Sequence, residues 1–463
     1  MRRFAMLLLA GAASLVAAVP TPLIGQGFGV YEHNTCAMGR AGVTAARPCA
    51  DGSAIYFSPA GLAGLMGTRF SAGVTLIGAH GSFTDDFLGN QSDLKNPLIP
   101  VPNFYVTHAF SPRLTAGLGV FAPYGLETKW DSVDFPGRFL GYNTNIRSIY
   151  IQPTIGYQVG PKLKFGIGVA YITSHLKLRQ RADLSSQPVP DALRVPAGLP
   201  VGTTFAMLGV PTGTDFADAT LDANGSGLAI NFGAIWQATD RLSIGGHWLT
   251  RKEITYDGDA TFKAISTGLV LPVAVGPLPA GTPVDAVLAP EFASGGPLAN
   301  GAVSTSITMP PQATLGFAYK VNDQWSFMAD YQYVVWGWFN QVDINFANAG
   351  TPDIALHPQN KDTHGFRFGT EYQYSSKLQL RGGYLHHGGA SPPQFVTPLL
   401  PEAARNEFTL GAGIELSRHL HADLAYQYIR QDDQRGTINL AAGNTGLYKF
   451  SANLFGAGIA LTF

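Results

Sequence analysis

The last nine residues, Phe455-Gly456-Ala457-Gly458-Ile459-Ala460-Leu461-Thr462-Phe463, carry an apolar side chain at every second position. Gly, Ala and Thr stand between them, so the segment predicts a β-strand with one large apolar face and one face of small residues. Thirteen more segments alternate in a similar way. Together they predict strands over 69–83, 101–111, 113–129, 143–160, 162–182, 226–239, 241–264, 303–320, 324–346, 361–375, 377–388, 405–418, 419–432 and 446–463.

The connections between these segments are alternately short and long. Six are tight turns, such as Ser111-Pro112-Arg113 and Gly160-Pro161-Lys162, and seven are long, at 84–100, 130–142, 183–225, 265–302, 347–360, 389–404 and 433–445. Outer-membrane barrels have short periplasmic turns and longer external loops. We therefore predict an all-β fold over residues 68–463, a transmembrane antiparallel β-barrel of about 14 strands.

Composition and the N-terminus agree with a membrane protein that is exported. Charged residues make up 13% of the 463 residues, against about 25% in an average soluble domain. The net charge of −1 gives no reason to expect a nucleic-acid partner. Arg2 and Arg3 followed by an apolar run over 4–19 predict a secretory signal peptide, which we assign to residues 1–25.

Residues 26–67 do not follow the strand rhythm. They are rich in Gly and Ala, and they precede the first predicted strand. Because fourteen strands enclose more space than wall side chains can fill, we expect this segment to be a hatch that plugs the lumen. Cys36 and Cys49 favour a disulfide in an oxidising periplasm, with two free thiols as the alternative. No metal site or cofactor is predicted.

The order of several short motifs resembles the FadL-type family of outer-membrane long-chain fatty-acid and aromatic hydrocarbon transporters (OmpP1/FadL/TodX). Ser58-Pro59-Ala60 stands where the family has Asn-Pro-Ala as its hatch motif. The resemblance implies a fourteen-strand barrel with an N-terminal hatch. The other matching stretches are 27–32, 39–42, 50–51, 61–62, 123–126, 310–338, 380–384, Pro392, 401–402 and 454–463.

The two longest predicted loops, 183–225 and 265–302, are unusually apolar for external loops. Exposed apolar surface commonly marks an interaction site, so we expect these loops to form an external groove that captures an apolar substrate. The alternative is that the loops pack on each other and cap the barrel. The candidate groove residues are Leu199, Val201, Phe205, Met207, Leu208, Leu269, Leu271 and Val273.

The third strand contains Pro123, Tyr124 and Gly125. Pro cannot donate a hydrogen bond to the sheet, and Gly commonly marks a bulge. We expect these three residues to open the wall as a lateral gate, since the resemblance implies a sideways exit at a kink in this strand. A bulge without a role in transport is the alternative.

Strand parity predicts that several charged side chains point into the lumen. Arg251, Arg367 and Arg381 are candidates for binding a substrate carboxylate, and Phe28 and Val30 for lining the apolar end of that pocket. Most of these charges are expected to pair with one another or with the hatch. The full inward set by parity is His247, Arg251, Asp330, Arg367, Glu371, Arg381, Glu407, Glu415 and Asp423.

The sequence thus favours passive transport of hydrophobic small molecules across the cell outer membrane over enzymatic activity. Ser174 and His175 lie on opposite strand faces, and His386-His387 has no metal-ligand partner at a useful spacing. A general solute porin and a structural or adhesive barrel are the alternatives. The expected partners are the cargo, outer-membrane lipid, and the periplasmic and outer-membrane barrel-assembly machinery, which would bind the strand ending at Phe463; we expect a monomer.

Overall fold

The computed structural model describes residues 29, 32–356, 359–436 and 445–463. The expected signal peptide and the candidate pocket residues Phe28 and Val30 lie outside this part of the chain. Helices in the described part are short: α1 Thr35–Met38, α2 Ala54–Phe57, α3 Asp191–Arg194 and α4 Val284–Leu288, with single 3-10 turns at Pro59–Leu62, Pro136–Phe139, Leu184–Ser186, Phe205–Leu208, Ala289–Phe292, Trp336–Trp338 and Pro393–Phe395.

Strands make up most of the described chain. They are β1 Thr68–Asp85, β2 Gln91–Asp93, β3 Ile99–Ser111, β4 Leu114–Lys129, β5 Asn143–Val159, β6 Leu163–Asp183, β7 Asp215–Gln237, β8 Leu242–Leu249, β9 Lys252–Ala264, β10 Gly301–Met309, β11 Gln312–Lys320, β12 Trp325–Val334, β13 Val342–Phe346, β14 Ile354–Leu356, β15 Thr363–Gln373, β16 Leu378–His387, β17 Arg405–Glu415, β18 Leu420–Gln431, β19 Gln434–Gly436 and β20 Gly446–Thr462.

The strands close into one antiparallel barrel of fourteen wall segments. Each wall segment pairs with the next along the chain, and β1 pairs with β20 from Arg69↔Thr462 to Asp85↔Gly446. Three wall segments consist of two strands each, namely β8 with β9, β10 with β11, and β12 with β13. Closure leaves no free sheet edge at the seam between the first and last strands, where lipid could not satisfy backbone groups. The predicted barrel fold is confirmed.

The predicted start of the sixth strand, at residue 226, is wrong. The sixth wall segment, β7, begins at Asp215 rather than at 226, and it pairs with β6 as far as Asp183. Residues 215–225 show no apolar alternation because β6 and β7 extend beyond the lipid-facing belt at the external end. Their outward side chains there are charged, for example Lys177 and Asp222. The external loop between β6 and β7 is therefore 184–214.

Outward-facing side chains form an apolar belt around the barrel. On β6 the alternating Phe165, Ile167, Val169 and Tyr171 are all exposed, whereas their even-numbered neighbours are buried. The inward faces carry polar residues such as Gln152, which suits a barrel whose outside meets lipid. Within the described residues, no helix is both long and apolar enough to cross a membrane.

Three neighbouring wall segments are interrupted near the middle of the barrel. The breaks lie at Thr250-Arg251 between β8 and β9, at Pro310-Pro311 between β10 and β11, and at residues 335–341 between β12 and β13. The register on either side of the first two breaks runs Leu249↔Gln312 and Lys252↔Met309. Parity counted along a single unbroken strand therefore fails across the first two breaks.

Residues 32–67, the described part of the expected hatch, lie against the inward faces of the wall strands. Almost every side chain from Glu32 to Ala63 is buried. Wall glycines allow the backbones to approach closely: a Cβ at Gly166 would lie 2.1 Å from the Pro59 carbonyl carbon, and one at Gly245 would lie 2.1 Å from the Ala45 oxygen. Side chains at these two wall positions would push the segment out of the lumen.

Candidate functional site

Buried charges fix the hatch to the wall. The Arg40 guanidinium lies 2.6 Å from the Glu371 carboxylate, and Arg47 lies 2.9 Å from the second oxygen of the same carboxylate. On β12, Asp330 accepts a 2.8 Å hydrogen bond from the Thr44 backbone N–H. Pairing of this kind offsets the cost of removing the charges from water, so these wall charges have a clear structural use.

Two of the arginines predicted to bind substrate belong to the same network. Arg367 points inward, and its guanidinium donates to Gln332 at 2.6 Å and to the Gly42 carbonyl at 3.5 Å. Arg381 is also buried, and it pairs with Asp423 and donates to Gln379 at 2.8 Å. The geometry thus supports a structural role for both side chains.

The prediction that the third candidate, Arg251, points into the lumen is wrong. It is exposed, and its guanidinium lies 4.4 Å from the centre of the exposed Trp338 ring. The break at Thr250-Arg251 resets the parity, so the neighbouring Lys252 points inward instead and is only 1% exposed. Sequence reasoning missed Lys252, although Pro310-Pro311 on the paired segment signalled the break.

Lys252 lies in the lumen near the predicted gate. Its ammonium donates to the Tyr124 hydroxyl at 2.9 Å and to the Pro310 carbonyl at 3.4 Å. Among the residues that the structure describes, no carboxylate pairs with this cation. A buried ammonium without a counter-ion is costly, and a substrate anion would relieve that cost.

The hatch is braced internally as well. Cys36 and Cys49 form a disulfide, and their Cα atoms lie 6.3 Å apart. The His33 imidazole is stacked between Phe57 and Phe121, with ring centres 4.8 and 5.1 Å away. Burial lowers the pKa of His33 to about 3, so the ring stays neutral at ordinary pH.

The hatch motif Ser58-Pro59-Ala60 is completely buried. The Ser58 hydroxyl donates to the Ala45 carbonyl at 3.0 Å, which links two parts of the hatch. Pro59 begins the 3-10 turn that packs against β5, β6 and β7. The motif therefore lies at the contact between hatch and wall.

The wall is incomplete between β3 and β4. These strands pair only from Ser111↔Leu114 to Phe104↔Val120, and above Val120 β4 pairs with β5 alone among the strands. Residues 99–103, the external part of β3, pair with β1 alone among the strands. Pro97, Pro100 and Pro102 stand along the facing side of the gap, where the lack of N–H donors prevents a regular ladder.

The predicted gate residues form a β-bulge at this gap. Between the pairs Phe121↔Tyr150 and Tyr124↔Ser148, β4 has one residue more than β5. The extra residue reverses the strand parity, so that both Phe121 and Tyr124 are buried on the lumen side. Gly29 lies opposite the free edge and forms an antiparallel bridge with Tyr124.

A cavity of about 410 Å³ passes through this gap. It joins lumen-side residues such as Glu32, Tyr124 and Glu402 to residues on the outer face such as Arg147 and Ile149. Most of its surface is apolar, and the residues on its wall include Ile77, Leu98, Val101, Phe121, Leu126, Ile146, Leu400, Ile429 and Leu454. The gap therefore connects the interior of the barrel with its lipid-facing side.

The two apolar loops share a core of their own. Phe205 and Leu271 are buried together with Phe216, Val284 and Leu288, so these two candidates serve loop packing. Leu199, Leu208 and Leu269 are partly buried against that core. Val201, Met207 and Val273 remain exposed on its surface, along with Val195 and Val270.

The sequence profile described as "Outer membrane protein transport protein (OMPP1/FadL/TodX)" matches residues 16–463. The chain belongs to the OMPP1/FadL/TodX family. Outer membrane protein P1 of Haemophilus influenzae is 21% identical over 493 residues, which cover 99% of this chain and 98% of that protein. Membership of this family places the protein in the outer membrane, with its short turns toward the periplasm.

Two solved structures share the fold of this OMPP1/FadL/TodX member. A Pseudomonas aeruginosa FadL homologue superposes with a TM-score of 0.78 at 19% identity, covering 94% of this chain and 100% of that one. The Pseudomonas putida toluene transporter TodX gives 0.69 at 20% identity, covering 93% and 98%.

Proposed function

We propose that this protein lets hydrophobic small molecules cross the outer membrane passively and leave sideways through the wall between β3 and β4. The observation that carries the proposal is the cavity in that gap, which joins lumen-side Tyr124 to outer-face Ile149. The free energy of an apolar molecule falls when it moves from water into lipid. A path that ends in the bilayer avoids the aqueous periplasm altogether.

The anchoring of the hatch supports a sideways exit. A path straight through the lumen would require the hatch to leave, which would expose the buried Arg40–Glu371 pair and the Asp330 contacts. Separating one partner from a buried ion pair costs about 3–5 kcal/mol. The Gly29–Tyr124 contact at the gap is an isolated backbone bridge rather than a buried ion pair.

Entry from outside is assigned to the loop surface that carries Val201, Met207 and Val273. These side chains are exposed although the loops have a well-packed core beneath them. An apolar cargo that binds there loses its own contact with water. The loops therefore concentrate cargo above the lumen.

Lys252 supports a cargo that has an anionic end, such as a long-chain fatty acid. It is a buried cation beside Tyr124, and no carboxylate of the described chain pairs with it. A charge-assisted hydrogen bond to a carboxylate contributes about 1.5–3 kcal/mol. An alkane could form neither this hydrogen bond nor a cation–π contact, and an aromatic hydrocarbon could form only the cation–π contact.

Two other functions fit the site less well. A general solute porin needs an open aqueous path, whereas residues 32–63 lie against the inward faces of the wall and are nearly all buried. A structural or adhesive barrel needs no opening in its wall, yet the β3–β4 ladder stops at Phe104↔Val120. Neither alternative accounts for the apolar cavity.

Uptake measurements test the proposal. Cells that lack other such transporters and express this chain should accumulate labelled oleate, and a Lys252→Met variant should lose most of that uptake. Lys164→Met changes a partly buried lysine near the periplasmic end of the lumen and serves as the control. If labelled toluene enters and oleate does not, the assignment of Lys252 to a substrate carboxylate is wrong. If neither compound enters, the proposal of transport is wrong.

A further inference from the structure

Basic residues mark every tight turn at the periplasmic end of the described barrel. Five of these six turns contain a Lys or Arg, and the sixth directly follows Lys320. Acidic residues in or beside the same turns are Asp240, Asp323 and Glu415. The basic set, which we call the periplasmic ring, is Arg113, Lys162, Arg241, Lys320, Lys377 and Arg418.

Most ring residues have no ionic partner within the described protein. Lys320 pairs with Asp323 at 2.7 Å, and the other five are exposed without an ion pair. Several exposed basic residues near the external end are paired, for example Lys95 with Asp131 at 2.6 Å and Arg435 with Asp86, whereas Lys129 and Lys263 have no ion pair within the described residues. Five of the six ring residues are thus available to bind an anion.

Aromatic residues fix the depth of the ring. Exposed aromatic side chains that face outward lie a few residues before the turns, for example Phe110 before Arg113, Trp236 before Arg241, and Tyr374 before Lys377. Aromatic side chains of this kind form the girdle at the boundary between acyl chains and headgroups. Basic side chains just beyond a girdle reach the level of the lipid phosphates.

We propose that the periplasmic ring binds the phosphate groups of anionic phospholipids in the inner leaflet of the outer membrane. The basic residues surround the barrel rather than cluster on one side, which matches an annulus of lipid better than a protein partner that touches one sector. Each Lys or Arg near an anionic surface contributes about 1 kcal/mol, which corresponds to about fivefold in binding.

The test compares lipid retention by purified protein in native mass spectrometry, with phosphatidylglycerol and phosphatidylcholine of identical acyl chains as probes. A ring variant changes all six basic residues to Gln. Its control changes six exposed external basic residues to Gln, namely Lys95, Lys129, Lys263, Arg430, Arg435 and Lys449. Heat-modifiable gel migration verifies that each barrel is folded.

Wild type and control should prefer phosphatidylglycerol, and the ring variant should lose this preference at least about fivefold. A ring variant that keeps the preference, or a control that loses it equally, would overturn the proposal. Salt gives a second measurement that needs no variant. Raising the salt concentration from 50 to 500 mM should weaken the wild-type preference for phosphatidylglycerol because exposed charges are screened. An unchanged preference would also contradict the proposal.

Discussion

The Lys252 ammonium donates a 2.9 Å hydrogen bond to the Tyr124 hydroxyl, which joins a buried cation on β9 to the bulge in β4. This contact links the two features on which transport is proposed to depend. We expect Lys252→Met to lower oleate affinity about tenfold or more, since a charge-assisted hydrogen bond contributes about 1.5–3 kcal/mol. Competition binding of oleate to purified protein measures this, with Lys164→Met as the control.

The hatch anchor gives a second prediction. Glu371→Gln leaves Arg40 and Arg47 without their shared counter-ion, and breaking a buried pair costs about 3–5 kcal/mol. We expect the hatch to loosen and single-channel conductance in planar bilayers to rise from nearly silent to measurable. Asp343→Asn removes an exposed carboxylate and should change nothing. Silence in the Glu371→Gln channel would mean that other contacts hold the hatch.

The loop surface gives a third prediction. Met207→Ser with Val273→Ser removes exposed apolar groups that contribute little to folding, so oleate uptake should fall at low substrate concentration while loop stability stays the same. Leu88→Ser with Val133→Ser changes exposed apolar residues on other external loops and should leave uptake unaltered. Equal effects of both pairs would argue against a specific capture surface.

Substitution of Phe205 tests the loop core rather than capture. This ring is 1% exposed, and truncating a buried Phe to Ala costs about 3–5 kcal/mol. We expect Phe205→Ala to make residues 184–214 sensitive to protease in intact cells. Resistance equal to that of wild type would show that the shared loop core contributes little stability.

His33 gives a prediction about pH. Because burial holds its pKa at about 3, below the ordinary value of 6.5, the unfolded chain binds more protons than the folded protein between these values. Stability should therefore fall as the pH is lowered through this window, by about 2 kcal/mol between pH 7 and pH 5 from this group. Urea unfolding of His33→Phe should lack this part of the pH dependence, whereas exposed His80→Gln should retain it.

Much of the fold could be predicted because lipid imposes a strict alternation on wall strands. Where that constraint ends, the prediction failed. The upper parts of β6 and β7 carry outward charges such as Lys177 and Asp222, so their alternation no longer looked apolar. Their pairing as far as Asp183 follows from continuation of the ladder above the membrane, which hydropathy cannot detect.

The site was harder to predict because it depends on breaks in the strands. Parity placed Arg251 in the lumen, and the break at Thr250-Arg251 exchanged it for Lys252. Pro123 and Gly125 pointed to the bulge, but the gap also requires β3 to remain with β1 over its upper half. Pro97, Pro100 and Pro102 were the sequence signal for that separation.

Lateral exit is the central claim, and restoring the wall tests it most directly. Pro100→Val, Pro102→Val and Pro123→Val together return three backbone donors and allow β3 to extend its ladder with β4. Oleate uptake, normalised to surface-exposed folded barrel, should fall to that of cells without the transporter. Pro112→Val with Pro161→Val at periplasmic turns should keep wild-type uptake. Full uptake by the wall-restored protein would contradict the account.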